Sequence, residues 1–216
     1  MTVKPLVKIC GLSTPETLDA ALQAGADWIG LVHFPRSPRH VALDRAAMLS
    51  RRARGRAGRV VLLVDPGDDL VAAAVAAIDP DLIQLHGRES PERVAAIRAL
   101  TGRPVMKALG IATASDLDAV PAYAGIAERI LLDAKAPPGA ALPGGNGRAF
   151  DWSLIAGATL PEGWMLSGGL TPESVAEALA RTGAPAVDVS SGVESAPGVK
   201  DPARIAAFVT AARGGF

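Results

Sequence analysis

Trp164-Met-Leu-Ser-Gly-Gly-Leu170 and Val187-Asp-Val-Ser-Ser-Gly-Val-Glu194 are two glycine-rich turns, each following an apolar run and each preceding a helical pattern. A strand that ends in small residues with free backbone N–H groups, next to the positive end of a following helix, is a natural phosphate cradle. Either turn alone reads equally well as a tight strand-to-helix connection, since glycine is the default where φ must be positive. Two in succession, at the end of a chain of repeating strands and helices, suggest one shared anion. (β/α)8 barrels bind phosphate in the loops after strands 7 and 8, so the number of strands decides the fold.

Outward from these turns, short β-branched runs separated by Ala/Leu-rich segments of helical spacing predict eight strands, near 6–10, 28–32, 60–64, 82–85, 105–108, 129–133, 163–167 and 186–189. Helices are predicted near 15–24, 44–54, 70–78, 91–100, 115–122, 151–156, 173–181 and 202–213. Thr14-Pro15, Ser90-Pro91, Thr171-Pro172 and Asp201-Pro202 each supply a capping residue and a proline for the first helical turn. Strict alternation argues for a parallel sheet and eight units argue for closure into a barrel, with an open doubly wound sheet as the alternative. A chain of 216 residues, 49% of them hydrophobic, suits one core, and residues 1–216 are expected to form a single (β/α)8 domain.

Lys plus Arg equals Asp plus Glu at 22 each, so the basic excess of a typical nucleic-acid binder is absent. The local run Arg51, Arg52, Arg54, Arg56 and Arg59 ends a helical pattern and reads as a solvated face. A single cysteine, Cys10, excludes an internal disulfide and any metal site built on several thiolates, and fits a reducing cytoplasm. The sequence shows neither a signal-peptide-like start nor an apolar run long enough to span a bilayer, so a soluble protein without a membrane partner is expected.

Side chains alternate along a strand, so one parity faces the helices and the other the barrel interior. On this reading Val7, Ile9, Ile83, Leu85, Ile130, Leu132, Val187 and Val189 face outward. Lys8, Cys10, Gln84, His86, Leu131, Asp133, Asp188 and Ser190 face inward, and Lys107 is expected to share the inward parity with Val105. A polar inner layer costs stability unless it is paired, and Lys8 beside Asp188, on strands adjacent after closure, is a plausible pair. Cys10, His86, Asp133 and Ser190 are the last inward residues of their strands, nearest the mouth where barrel active sites sit. A thiol and a carboxylic acid facing one cavity can act as general base and general acid. The bland alternative is a small hydrophobic Cys10, but an ammonium such as Lys8 on the same face favours the thiolate. His86 reads equally as a catalytic group or as a brace for a neighbouring loop.

Two loops open at the same mouth. His33-Phe-Pro-Arg-Ser-Pro-Arg-His40 is stiffened by prolines and offers cations to a carboxylate or phosphate. Residues 134–150 hold Pro137-Pro138 and Gly144-Gly-Asn-Gly147, which can add backbone donors to a phosphate site, and loops this long are usually lids or disordered.

Val-Lys-Ile-Cys-Gly at 7–11, Phe-Pro-Arg-Ser-Pro-Arg at 34–39, Gln-Leu-His-Gly at 84–87, Leu-Leu-Asp at 131–133, Gly-Gly-Asn-Gly then Phe-Asp-Trp at 144–152, and the two opening turns together resemble the phosphoribosylanthranilate isomerase family of tryptophan biosynthesis. The matching stretches run the length of the chain in the expected order. The resemblance implies a TIM barrel of the ribulose-phosphate-binding type, a small-molecule substrate, phosphoribosylanthranilate, and an Amadori rearrangement without a cofactor or metal, by a monomer or homodimer. It also implies that Asp133 protonates the furanose ring oxygen, that Cys10 removes the C2 proton, and that Arg39 binds the anthranilate carboxylate. Lys8 and His86 would join Arg39 in the substrate site. The backbone around Gly145, Asn146, Gly168, Gly169, Ser190, Ser191 and Gly192 would hold the phosphate. The chain departs from the family pattern at His33, where an aromatic or aliphatic residue is usual, and at Asn146, where serine is common. A histidine-biosynthesis type of phosphosugar isomerase resembles it at the phosphate turns but has a carboxylate where this chain has Cys10. A catalytically silent phosphosugar-binding protein should lack Cys10 or Asp133, and both are present.

Overall fold

The structure, a computed structural model, describes residues 4–136, 139, 142, 144 and 151–214. Eight parallel strands close in chain order: β1 (Leu6–Cys10), β2 (Trp28–Val32), β3 (Gly58–Leu63), β4 (Leu82–Leu85), β5 (Val105–Ile111), β6 (Arg129–Ala134), β7 (Met165–Leu166) and β8 (Ala186–Val189). The seam pairs β1 with β8, Lys8 lying opposite Asp188. The closed barrel is the one expected, and an open sheet is excluded.

The helices on the outside are α1 (Pro15–Ala24), α2 (Leu43–Ala53), α3 (Asp68–Ile78), α4 (Pro91–Thr101), α5 (Val120–Tyr123), α6 (Val175–Thr182) and α7 (Pro202–Gly214). Capping behaves as expected at α1 and α4, where Thr14 and Ser90 side chains accept the backbone N–H of Thr17 and Arg93. The fifth and sixth helices differ from expectation. The fifth is a 3-10 stretch, Ala114–Ala119, leading into four residues of α5, and the sixth is a single 3-10 turn, Trp152–Leu154. Gly157 and Pro161 follow that turn closely and leave no length for a regular helix. An element absent from the sequence reading follows β8, an antiparallel pair of β9 (Glu194–Ala196) and β10 (Val199–Lys200).

Alternation sorts the core into layers. Val7, Ile9, Ile83, Ile130, Leu132, Val187 and Val189 pack with the helices in the outer layer. Val60, Leu82, Met106, Ala108, Leu131, Met165 and Ala186 fill the interior. Lys107 corrects the expectation: Val105 belongs to the outer layer and Met106 to the inner one, so Lys107 points outward. There it donates to Glu89 Oε2 and to the Gly87 carbonyl, both at 2.8 Å. The arginine run divides too. Arg51, Arg52, Arg54 and Arg56 are exposed, whereas Arg59 is buried on β3 and bonded to Asp81 at 2.9 Å.

The Lys8 ammonium, wholly buried, donates to Asp188 Oδ1 at 2.7 Å, and Ser167 Oγ donates to Oδ2 of the same carboxylate at 3.3 Å. Removing one partner strands the other charge inside the barrel. Lys8→Met should therefore lower unfolding free energy in urea by about 3–5 kcal/mol, and Lys8→Met with Asp188→Leu should recover much of it. A Lys8→Met protein as stable as the parent would show that the pair carries no such load.

Candidate active site

Cys10 ends β1 and opens onto the mouth of the barrel with 3% of its surface exposed. Its neighbour on β2 is Gly30, where any Cβ would lie 2.9 Å from the sulfur. The thiol thus needs glycine there, a requirement that Trp-Ile-Gly does not announce. Burial pushes the Cys10 thiol above its ordinary pKa, and Asp188 adds to the rise, while Lys8 and Lys200 pull it down without cancelling it. Lys8 was expected to favour the thiolate, and it does, but desolvation outweighs it. Burial also opposes the Lys8 ammonium; Asp188 and Cys10 outweigh that and hold Lys8 above its ordinary value. Lys8 is not in the lining of the cavity, so its influence on a ligand passes through Asp188 and Cys10.

Asp133 stands three strands around from Cys10, on β6, and is also buried. His86 Nε2 lies 3.2 Å from Asp133 Oδ2, and the Gln84 side-chain nitrogen lies 2.9 Å from His86 Nδ1. With the amide in this orientation it donates to Nδ1, which leaves the Nε2 hydrogen for Asp133. The loop carrying His86 is fixed from outside the barrel by Glu89, which accepts from the backbone of Asp65 and Gly87 and from Lys107. Gly144 lies over this pair, so near that a Cβ there would overlap both His86 and Asp133.

The two glycine turns meet across the end of the barrel. A Cβ on Gly192 would collide with the Leu170 carbonyl, so the second turn can close on the first only through glycine. Gly168 has φ +90° and would put a Cβ 2.5 Å from the Ala134 nitrogen. The N–H groups of Gly168 and Gly169 donate to no acceptor among the described residues. Ser190 Oγ is committed elsewhere, donating to the Cys10 carbonyl at 3.2 Å while receiving Lys200 Nζ at 3.1 Å. Gly145 and Asn146 lie outside the described residues.

Arg39 comes from the loop after β2 and is 6% exposed. Its Nε and Nη2 donate to Glu194 Oε1 and Oε2 at 2.7 and 2.9 Å, a bidentate pair. Lys200 Nζ donates to the same Oε1 at 2.6 Å. Burial works against the Glu194 carboxylate, but Arg39 and Lys200 outweigh it and hold its pKa below the usual range. His33 Nδ1 lies 2.9 Å from the Val41 carbonyl and its ring 5.0 Å from that of His40, so the departure at His33 serves to brace this loop.

These groups surround one cavity of about 780 Å³, part of it open to solvent. Cys10, Arg39, His86 and Asp133 line it together, with Gly168, Gly169, Ser190 and Ser191 at the glycine turns. Gly192 shapes the turn from behind. Phe34, Leu62 and Val64 supply an apolar wall. The site therefore holds a carboxyl group, a thiol, a guanidinium and backbone N–H groups with no acceptor among the described residues, around a space partly lined by hydrocarbon. Glu194, Lys200, Ser167 and Gly30 are the residues here whose roles the sequence did not disclose.

The family model for N-(5'-phosphoribosyl)anthranilate isomerase matches residues 7–211. A protein of that name from Azorhizobium caulinodans is 63% identical over 207 residues, 96% of this chain and 91% of its own. The crystal structure of phosphoribosyl anthranilate isomerase from Thermotoga maritima is similar with TM-score 0.88 and 34% identity, covering 97% of this chain and 99% of that one. A phosphoribosyl anthranilate isomerase in complex with reduced 1-(o-carboxyphenylamino)-1-deoxyribulose 5-phosphate gives TM-score 0.85 at 32% identity, with the same coverage. A third structure, of monomers made from the dimeric Thermotoga maritima protein, also gives 0.85, at 33% identity and again with that coverage.

With one cysteine in the chain, thiolate absorbance in the ultraviolet, corrected with a Cys10→Ser control, reports this group alone. The titration midpoint should lie above the ordinary thiol value of about 8.5, with the thiol protonated below it. A midpoint at or below that value would mean that the two lysines outweigh burial.

Proposed function

We infer the roles in this site from one premise: the chain belongs to the N-(5'-phosphoribosyl)anthranilate isomerase family. It is an isomerase of tryptophan biosynthesis, carrying out the Amadori rearrangement of N-(5'-phosphoribosyl)anthranilate to 1-(2-carboxyphenylamino)-1-deoxyribulose 5-phosphate. The assignment of residues to steps is our own. Asp133 gives a proton to the furanose ring oxygen, the C1–O bond breaks, and the anthranilate nitrogen's lone pair forms the iminium. The iminium lowers the pKa of the Cys10 thiol, which gives its own proton to solvent at the open mouth of the cavity. The thiolate then takes the now acidic C2 proton, the electron pair neutralises the iminium as an enolamine, and gain of a proton at C1 with loss of the C2 hydroxyl proton gives the ketose. His86 orients Asp133 through the bond between them. The rearrangement involves no net oxidation or reduction and conserves the substrate's atoms.

What supports this reading most is that Cys10 and Asp133 line one cavity with Arg39 and the glycine turns. A guanidinium has two bidentate edges, and Glu194 takes the Nε–Nη2 edge of Arg39, so the Nη1 side remains for the anthranilate carboxylate. Phosphate would then lie at the N–H groups of Gly168, Gly169 and Ser191; Gly145 and Asn146, the other residues assigned to it, lie outside the described residues. Binding through phosphate and carboxylate is remote from the reacting carbons and can be spent on positioning them. The whole chain acts as a single domain, and one chain supplies every assigned residue, so the chemistry is complete in a monomer or in each half of a homodimer. We place the protein in the cytoplasm, consistent with its one free thiol and with no described helix long and apolar enough to cross a membrane.

Purified protein mixed with phosphoribosylanthranilate should change the spectrum of the aromatic amine, and inorganic phosphate at fixed ionic strength should raise the apparent KM with kcat unchanged. No spectral change would overturn the assigned reaction. An apparent KM indifferent to phosphate would remove the anion from the glycine turns.

A further inference from the structure

The β9–β10 hairpin has no part in the barrel sheet, yet two charged side chains on it, both buried, reach Arg39 and Ser190, which line the cavity. Glu194 receives four donors: Arg39 Nε and Lys200 Nζ on Oε1, Arg39 Nη2 and the Gly198 backbone N–H on Oε2. Lys200, 5% exposed, spends its ammonium on Glu194 Oε1, on the Ser190 carbonyl at 2.9 Å and on Ser190 Oγ. The turn of the hairpin is pressed against the loop that carries Arg39, since a Cβ on Gly198 would run into the Pro38 carbonyl. On its other side the Arg39 side chain rests on Gly11, where a Cβ would be 3.0 Å from Arg39 Cδ.

We propose that this hairpin is the clamp for carboxylate recognition, with Glu194 and Lys200 acting as positioning residues for Arg39; the proposal rests on the reading that Arg39 binds the anthranilate carboxylate. Two separate physical effects are involved. Glu194 fixes orientation, because a bidentate carboxylate holds the plane of the guanidinium and turns its unused edge to the cavity. Lys200 fixes charge. Arg39 and Glu194 alone sum to zero and would attract a second carboxylate weakly, whereas the buried triad of two cations and one anion keeps one net positive charge beside the cavity. The same ammonium ties the clamp to the end of β1, since Ser190 Oγ bonds the Cys10 carbonyl. The carboxylate cation and the base are thereby held in one frame.

The test uses calorimetric titration of the full-length protein with two unreactive ligands. One is the reduced product, 1-(o-carboxyphenylamino)-1-deoxyribulose 5-phosphate reduced at the ketone, and the other is the same molecule without the carboxylate. Glu194→Gln and Lys200→Met should each weaken the carboxylated ligand by about ten- to a hundredfold, the scale of one charge-assisted hydrogen bond, and the carboxylate-free ligand by less than about threefold. Glu194→Asp keeps the charge at shorter reach and should fall between Glu194→Gln and the parent. The carboxylate-free ligand reports whether a variant still has a formed site. Arg39→Ala measured in parallel separates the two levels of inference. If Arg39→Ala discriminates between the ligands while Glu194→Gln, Glu194→Asp and Lys200→Met do not, the clamp is wrong and the role of Arg39 stands. If Arg39→Ala affects both ligands alike, the carboxylate reading fails and the clamp falls with it.

Discussion

The bond between the Lys8 ammonium and the Asp188 carboxylate spans the seam where the first strand meets the last. Lys8 is wholly buried and Asp188 nearly so, and the barrel closes in the register that brings them opposite each other. A one-residue slip would turn every inward side chain outward, and here it would also leave two unpaired buried charges. That register places Cys10 two residues beyond Lys8 at the mouth, and Ser190 two residues beyond Asp188. The same register brings the second glycine turn alongside β1 and so brings the phosphate site we propose to the thiol. Closure of the fold and assembly of the site are in this sense one event.

The seam also sets the electrostatics. An ammonium beside a thiol lowers its pKa, but Asp188 neutralises much of Lys8, and burial is the largest influence on Cys10. The resting thiol is therefore kept protonated at neutral pH. The step assigned to Cys10 asks for a thiolate only when a cationic iminium stands in the cavity, and a nearby positive charge favours that ionised form. A thiol that ionises only when its substrate becomes cationic is protected from alkylation and oxidation in the meantime.

Much of this was legible in the chain because alternation and turn chemistry are local. Val-Lys-Ile-Cys and Leu-Leu-Asp report which side chains enter the barrel, and the two Ser-Gly turns report where the strands stop. β5 departs from the expected parity by one residue. Val105 faces the helices and the flexible Met106 fills the interior, which is the reverse of the expected parity. Arg59 looks like part of a solvated run in the sequence because its carboxylate partner, Asp81, lies on a neighbouring segment. Glu194 and Lys200 were invisible for the same reason in stronger form: Arg39 and Glu194 meet across 155 positions of sequence, and a hairpin of three- and two-residue strands has too short a pattern to show periodicity. Gly30 could have been found from packing alone, since a strand glycine often marks a close approach.

The division of the two proton transfers between Asp133 and Cys10 is tested most directly by measuring turnover and analogue affinity on the same folded samples of Asp133→Asn and Cys10→Ser. Each substitution keeps the shape of the site and removes a proton donor or acceptor of suitable strength, so turnover should fall by about 10²–10⁴-fold or more. Affinity for the reduced product should stay within about threefold of the parent, because the phosphate and carboxylate contacts proposed for uniform binding are untouched. Near-parent turnover in either variant would contradict the role given to that residue, and turnover lost together with analogue binding would mean that the residue builds the site and does not carry its proton.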